Sequence, residues 1–576
     1  MAELDTVIKG GTIVDGLRTP RYTADVGIKD GRIAYIGSIP SSTAERALDA
    51  SGLIVAPGFV DLHTHYDAQV FWDPYCTISG WHGVTSVVIG NCGFGFAPVK
   101  PRDRDRNMLT MARNEAIPLE SMQVGMPWDW ETYPEFLDSL DRTPKGINLL
   151  SYVGLNPLMM YVMGLEAAKS RPATAAERAE MCRLLEEALN AGGCGFSAQL
   201  AGEASNQRDI DGTLMITNLM SRGDLYAFCE VLRKCRRGFI QLAGTGVAEC
   251  EKVAELSGRP VIYNTLSLGT DQHGTPMLRY RDGIKQLDEA NRRGHRVFAQ
   301  AVTAPGGFEF TLRDWNLFDQ SPAWRAVTLG TPQEKAAQMR DASRRQALKD
   351  EYDAGEKLTR GVTGFRGIAS ITVEGVVNPE LARYEGLTIA EIAAQEGKHP
   401  IDAMLDLALA DGLDATFVTT PRSYDMGAMK EMATSPFALP GISDGGAHTK
   451  FITFGSYPTE FLTELVRDHE LMSLEEAHWR LSSYPALAAG FTDRGWIREG
   501  APADIVAYDY ANLKLLEPEK AYDVPADQWR RVRRADGYRW ILVNGEVTFE
   551  DGACTGAVPG QLLRHGRAAV REHSAS

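Results

Sequence analysis

Between about residue 57 and residue 490 the chain alternates short apolar runs with helical stretches, and no other feature limits its fold so strongly. Eight runs read as strands, at 58–63, 84–90, 147–153, 194–198, 238–243, 260–265, 295–301 and 438–443. Strands separated by helices pair in parallel, and repeating the unit about eight times predicts an α/β fold, a (β/α)8 barrel of the TIM type. The clearest intervening helix starts at Pro172-Ala173-Thr174, carries Met181, Leu184, Leu185 and Leu189, and stops at Gly192-Gly193. The span 305–437 is too long for a simple crossover and predicts an inserted helical segment near the barrel mouth.

The two ends differ from this middle. Residues 1–56 read as short strands joined by glycine turns, with an Asp30-Gly31 hairpin signal. Ala503–Tyr508 and Trp540–Val547 have the same strand-like texture. Neither end is long enough to bury its own apolar face, so the two are expected to form one small β domain. The predicted organisation is residues 1–56 for its first part, 57–490 for the barrel, 491–560 for its second part, and a polar tail over 561–576 whose last dozen residues are expected to fray.

Composition removes several function classes. Sixty basic against 76 acidic side chains leave a net charge of −16, with no basic run to displace counterions from a nucleic acid. No stretch reaches the roughly 18 apolar residues that span a bilayer, and the acidic opening Met1-Ala2-Glu3-Leu4-Asp5 is unlike a secretory signal. The eight cysteines show no Cys-x-x-Cys and no disulfide framework. A cytoplasmic protein with reduced thiols, acting on a small molecule with neither nucleic acid nor membrane as partner, is expected. Large barrel enzymes often associate, so a homo-oligomer is expected too.

Three motifs carry chemistry. In Pro57-Gly58-Phe59-Val60-Asp61-Leu62-His63-Thr64-His65 the strand period of two points both histidines to one face. At the C-terminal end of the first barrel strand that face is the mouth, where two imidazoles can bind one metal ion. Gly441-Ile442-Ser443-Asp444-Gly445-Gly446-Ala447-His448 follows the eighth strand, which a closed barrel sets beside the first. Asp444 is therefore a candidate ligand of the same ion and a base for its bound water. Gly90-Asn91-Cys92-Gly93 ends the second strand, and a thiolate ligand from Cys92 is plausible there, as is a small buried thiol.

Together these motifs resemble the metal-dependent amidohydrolase superfamily, and Gly90-Asn91-Cys92-Gly93 narrows the resemblance to its D-aminoacylase branch (N-acyl-D-amino-acid deacylases). The resemblance covers nearly the whole chain. It implies a (β/α)8 barrel with a β-sandwich from both termini, and hydrolysis of an amide C–N bond by metal-bound hydroxide with an aspartate base. It matches His63, His65 and Cys92 to metal ligands and Asp444 to the aspartate that is both ligand and base. The family's further histidines on strands five and six fall at Gln241 and Asn264. Neutral amides are weaker zinc ligands than imidazole, so one divalent ion per chain, zinc, is expected. Gln241 and Asn264 would either hydrogen-bond substrate or metal-bound water, or satisfy loop backbone.

The resemblance also implies a lysine after strand six and a tyrosine on strand seven for the substrate's carboxylate; Leu266 or Ser267 and the Phe298–Ala301 run stand there. Arg313 or Arg422 could replace them, although a solvated or pairing role suits an arginine better. His448 either lines the mouth or supports Asp444, and His82 reads as structural. An aromatic element with Phe308, Phe310 and Trp315, after the Ala304-Pro305-Gly306-Gly307 turn, either covers the pocket or begins the inserted core. The expected function is hydrolysis of the amide bond of an N-acyl amino acid or related small compound. The alternatives are the same barrel and metal acting on an ester, lactone, imide or C–C bond, and a catalytically silent binding or assembly subunit.

Overall fold

The computed structural model describes residues 3–270, 276–303, 308–314, 317–354, 367–419, 425–450 and 454–565. Its centre is a ring of parallel strands: β1 (Phe59–Asp61), β2 (Val84–Ile89), β3 (Asn148–Ser151, resuming at Val153–Gly154), β4 (Gly195–Gln199), β5 (Phe239–Ala243), β6 (Val261–Leu266), β7 (Val297–Ala301) and β8 (Ala438–Pro440). Each pairs in parallel with the next from β1 to β8. Beyond the ends of β8 and β1 a parallel bridge joins Gly445 to Thr64, and the His65 N–H donates to the Gly445 carbonyl at 2.6 Å. The ring thus returns to its start, as expected of a TIM barrel. β1 and β8 are shorter than their apolar runs, because the chain leaves the strand path at both places to present the residues at the mouth.

Helices between the strands seal the outside. The helix Ala175–Ala191 begins with a reciprocal capping box between Thr174 and Glu177 and buries Met181, Leu185, Ala188 and Leu189.

Both termini build one nine-stranded sheet. Its order is Ala553–Cys554, Glu546–Glu550, Tyr538–Val543, Ile505–Tyr508, Ile54–Pro57, Leu4–Ile13, Tyr22–Lys29 and Arg32–Gly37, with Ala44–Asp49 also beside Leu4–Ile13. The join is the antiparallel pairing of Ile505–Tyr508 with Ile54–Pro57, which puts Ile8, Val26, Val55, Ile505 and Leu542 into one core. Asp504, at this join, is 5% exposed and accepts from Arg494 at 2.6 Å, from the Asn544 N–H at 2.8 Å and from Asn148 of β3 at 3.3 Å.

The long span before β8 has a core of its own, with Phe310, Trp324, Met339, Leu348, Val373 and Phe417. It is not helical throughout. A three-stranded antiparallel sheet of Glu309–Phe310, Thr416–Val418 and Thr372–Gly375 lies among its helices. The helix Met426–Thr434 instead buries Ala428, Met429 and Met432 in the barrel core. Residues 561–565, the start of the polar tail, are strapped to the barrel. Leu149 donates to the Gln561 carbonyl, the Leu563 N–H donates to Leu149, the His565 N–H donates to Gly192, and Leu562 and His565 are buried. An apolar leucine and backbone hydrogen bonds to β3 outweigh the polar composition there; residues 566–576 of that predicted tail lie outside the described residues.

Two expectations follow. Asp504→Ala takes from the buried Arg494 cation its 2.6 Å partner, leaving only the half-exposed Asp493 at 3.6 Å, and should cost about 3 kcal/mol in chemical denaturation; a loss below about 1 kcal/mol would show that the join does not depend on it. His82, wholly buried between Thr459 Oγ1 at 2.8 Å and the Arg533 carbonyl at 2.9 Å, is held neutral by burial, its pKa pushed down to about 4. The unfolded chain takes up that proton near pH 6.5, so the stability tied to neutral His82 is present above pH 6.5 and lost as pH falls toward 4. Wild type should therefore lose stability relative to His82→Gln over that window, whereas parallel curves would refute the assignment.

Candidate metal centre

The site is assembled from loops at the C-terminal ends of β1, β2 and β8, with a helix end beside them. After β1 the chain turns on Asp61, whose Oδ1 accepts the His63 N–H at 3.0 Å. Ser443, ahead of Asp444, donates to the His63 carbonyl at 3.0 Å and accepts the Gly445 N–H at 3.0 Å. Asp444 itself sits in the left-handed region with φ 46°. Gly446, with φ 86°, lies so close to the His65 backbone that a Cβ there would meet its carbonyl at 2.7 Å. Only glycine permits both that conformation and that approach.

The β2 loop is clamped from several strands. Asn91 donates to the carbonyls of Thr64 at 3.1 Å and Val88 at 2.9 Å. Adjacent N–H groups of Cys92 and Gly93 donate to Gln241 Oε1 at 2.8 Å and Ser197 Oγ at 2.9 Å. Gln241 and Ser197 are register partners on β5 and β4. These contacts hold Cys92 at φ 57°, a conformation that a β-carbon normally disfavours.

The result is convergence of three ligand types. Ligand atoms of His63, His65 and Cys92, all buried, lie within 4.8 Å of one another. Cys92 Sγ is 3.4 Å from His63 Nε2. Asp444 Oδ1 is 3.2 Å from His63 Nε2 and 3.7 Å from His65 Nε2. The histidine side chains are 2% exposed and that of Asp444 is 24% exposed, so the aspartate is the member that opens toward the mouth.

Burial works against a charge on His63, but Cys92 and Asp444 outweigh it and hold its pKa well above the usual imidazole range. The site thus favours one positive charge, the charge a bound cation would take over. Burial, reinforced by the charge on His63, pushes His65 down to about 3 and keeps it a neutral imidazole with a lone pair to give. Burial alone would raise Asp444, but the hydrogen bond and charge of His63, with His65 and His448, hold it well below the usual carboxylate range. Burial pushes the Cys92 thiol up; a cation beside it would favour the thiolate. A set of two imidazoles, a thiol and an ionised carboxylate fits a divalent ion of borderline softness such as zinc.

The other sequence candidates have definite places. Gln241 Nε2 donates to Asn264 Oδ1 at 2.7 Å, and Asn264 Nδ2 donates to Gln300 Oε1 at 2.7 Å. His448, with φ 52°, has Nε2 3.6 Å from Glu115 Oε2, and its N–H donates to the Glu115 carbonyl. Phe308 sets its ring edge-on to His448 at 6.3 Å, whereas Phe310 is buried in the inserted core. Arg313 is engaged by Asp414 at 2.5 and 2.7 Å, while Arg422, Trp315 and the 304–307 turn lie outside the described residues.

Glu115 has no counterpart in the motif reading. It ends the helix Arg104–Glu115, is 2% exposed, and is held well above the usual carboxylate range by burial and the charge of Asp444. Nothing local distinguishes it from any helix-end glutamate, and only its contact with the β8 loop marks it. Phe94, two residues after Cys92, packs its ring edge-on against His65 at 6.0 Å.

Comparison with known proteins gives the family. The profile described as the amidohydrolase family matches residues 46–549. The chain belongs to the amidohydrolase family. It is a hydrolase of carbon–nitrogen bonds other than peptide bonds. This amidohydrolase is 28% identical over 574 residues to the N-acyl-D-glutamate deacylase of Alcaligenes xylosoxydans xylosoxydans, covering 98% of this chain and 97% of that one. It is 26% identical over 562 residues to the D-aminoacylase of the same organism, covering 97% of each. Among solved structures, the N-acyl-D-glutamate deacylase of Bordetella bronchiseptica, complexed with zinc and a phosphonate mimic of the reaction's tetrahedral intermediate, aligns with a TM-score of 0.67 at 26% identity. The alignment covers 98% of this chain and 100% of that one. The amidohydrolase barrel with its β domain is thus the shared fold.

His63→Ala/His65→Ala removes two of the three converging ligands and should abolish retention of a divalent ion by chelator-rinsed protein, as measured by elemental analysis. Undiminished metal in the double variant would place the ion elsewhere.

Proposed function

We propose that this amidohydrolase cleaves the amide C–N bond of a small N-acyl compound, an N-acyl amino acid or a near relative, using one zinc ion held by His63, His65, Cys92 and Asp444. The observation that carries the proposal is the approach of Asp444 Oδ1 to both imidazoles, 3.2 and 3.7 Å away, beside the His63, His65 and Cys92 set. A divalent ion bound there supplies Lewis acidity for the scissile carbonyl and lowers the pKa of water. Two curated relatives over the full chain, the N-acyl-D-glutamate deacylase and the D-aminoacylase, support this choice of bond.

The protein's residues divide the remaining work. His65 stays neutral and keeps its lone pair directed at the site. Asp444 turns Oδ1 to the imidazoles, so its other oxygen takes the proton of the attacking water and returns it to the departing nitrogen. Asp444 is ionised, and its basicity rises once His63 gives up its proton to serve as a neutral ligand, because the His63 charge is what holds the carboxyl below its usual range. Phe94, on the Cys92 loop, packs against His65, and His448, beside Glu115 and Phe308, stands four residues after Asp444 where it can meet the substrate.

The setting proposed is the cytoplasm, as a homo-oligomer acting on small molecules. All eight cysteines are free thiols, as a reducing compartment would keep them. Among the described residues no helix is long and apolar enough to cross a membrane.

Asp444→Asn removes the proton acceptor at nearly constant shape. It should lower kcat on N-acyl amino acids by about a hundred- to ten-thousand-fold. Turnover at the wild-type rate, in protein shown to hold its metal, would refute the role of Asp444. Matched ester and lactone analogues in the same assay test the bond: cleavage of these with none of the amides would transfer the barrel to that chemistry.

A further inference from the structure

The metal centre as read above leaves one buried polar feature without a task. Three amide side chains, from three consecutive barrel strands, are joined end to end: Gln241 of β5, Asn264 of β6 and Gln300 of β7. All three are buried, at 0%, 6% and 2% exposure. One end of this row meets Cys92, through the hydrogen bond from the Cys92 N–H to Gln241 Oε1 at 2.8 Å.

The direction of the row is fixed by chemistry. A backbone N–H can only donate, so Gln241 must present its oxygen to Cys92. Its nitrogen then faces Asn264, which must present an oxygen in turn, and the Asn264 nitrogen requires the oxygen of Gln300. Each amide is thereby locked in one orientation by the one before it. The row cannot flip piecemeal without setting a donor against a donor, an expensive arrangement at full burial.

The Cys92 end has the most to gain. Cys92 holds φ 57°, a conformation that has to be maintained by its surroundings. Its N–H and that of Gly93 are accepted by Gln241 and Ser197, which face each other across β5 and β4. Those two hydrogen bonds orient the loop that aims Sγ at His63 Nε2, 3.4 Å away.

We infer that Gln241, Asn264 and Gln300 are positioning residues for Cys92: a one-way row of amides that holds its backbone, and so its sulfur, in place for the metal. The inference rests on the metal reading proposed above. It assigns the amides to the ligand loop and not to the substrate, and makes Gln300, two strands beyond Gln241, a determinant of the Cys92 bond to the ion.

The test is cobalt(II) in place of the native ion, read by the near-ultraviolet sulfur-to-cobalt band and by competition with a chelator. Gln241→Leu should weaken the band and reduce cobalt retention by roughly ten- to a hundred-fold, the usual effect of losing a residue that orients a metal ligand. Asn264→Leu and Gln300→Leu should follow with progressively smaller losses. Gln241→Glu, which keeps an acceptor for the Cys92 N–H, should restore the band. If Gln241 acts through Cys92, Gln241→Leu should have no further effect on retention in a Cys92→Ser background. An equal loss in both backgrounds would make the role merely structural and overturn the inference, as would an unchanged band in Gln241→Leu. Should Gln241→Leu fail to fold by circular dichroism, Gln300→Leu answers the same question from the far end, and an unchanged band there overturns the inference. Wild-type protein that takes up no cobalt would instead refute the metal reading, which separates the two failures.

Discussion

The contact on which the site depends is the closure of the barrel at its mouth, where Gly445 bridges Thr64 and the His65 N–H reaches the Gly445 carbonyl. More than 370 residues separate His65 from Asp444, and a single parallel register brings His65 Nε2 within 3.7 Å of Asp444 Oδ1. Gly446 is what permits the approach, because any side chain there would collide with the His65 carbonyl. Ser443 ties the same two loops by accepting from Gly445 while donating to His63. The ionised state of Asp444 follows, since it rests on charges that only this closure places beside it.

Around that closure the rest of the molecule acts as a frame. The terminal sheet fastens β3 and the entry to β1 through Asp504, with partners in both the barrel and the β domain. The inserted unit, with a core of its own, reaches the mouth through Phe308 against His448. The end of the helix Arg104–Glu115 meets the β8 loop from another side, through Glu115 to His448 and through the Ala116 carbonyl, which accepts from Thr449 Oγ1 at 3.1 Å. Rigid surroundings of this kind let a few side chains keep the geometry that metal chemistry requires.

The candidate metal ligands were legible because their signals are local. His63 and His65 are two residues apart on a strand end, and Asp444 and Cys92 each stand in a glycine-flanked turn after an apolar run. Strand periodicity and barrel topology then suffice to bring them together. The alternation of strands and helices was legible for the same reason, since each apolar run carries its own evidence of burial. Gln241 and Asn264 stood out only as positions where an imidazole was expected. Their hydrogen bonds to each other, and the part taken by Gln300, involve residues far apart in sequence with no shared pattern. The three-stranded sheet in the insertion, and the strapping of residues 561–565 along β3, were hidden likewise, because short strands and terminal segments gain their stability from partners elsewhere in the chain.

Sequence by itself therefore determined the barrel, the pairing of the two ends into one β domain, and the four residues most suited to a metal. Those features depend on periodicity and on residue chemistry, which a linear string records. Tertiary structure alone decided that Glu115 stands behind His448, that Cys92 is held in a left-handed turn by acceptors on β4 and β5, and that three neutral amides form a single directed row. Each of these is a contact between distant segments, set by which buried donors and acceptors can satisfy one another once the ring has closed.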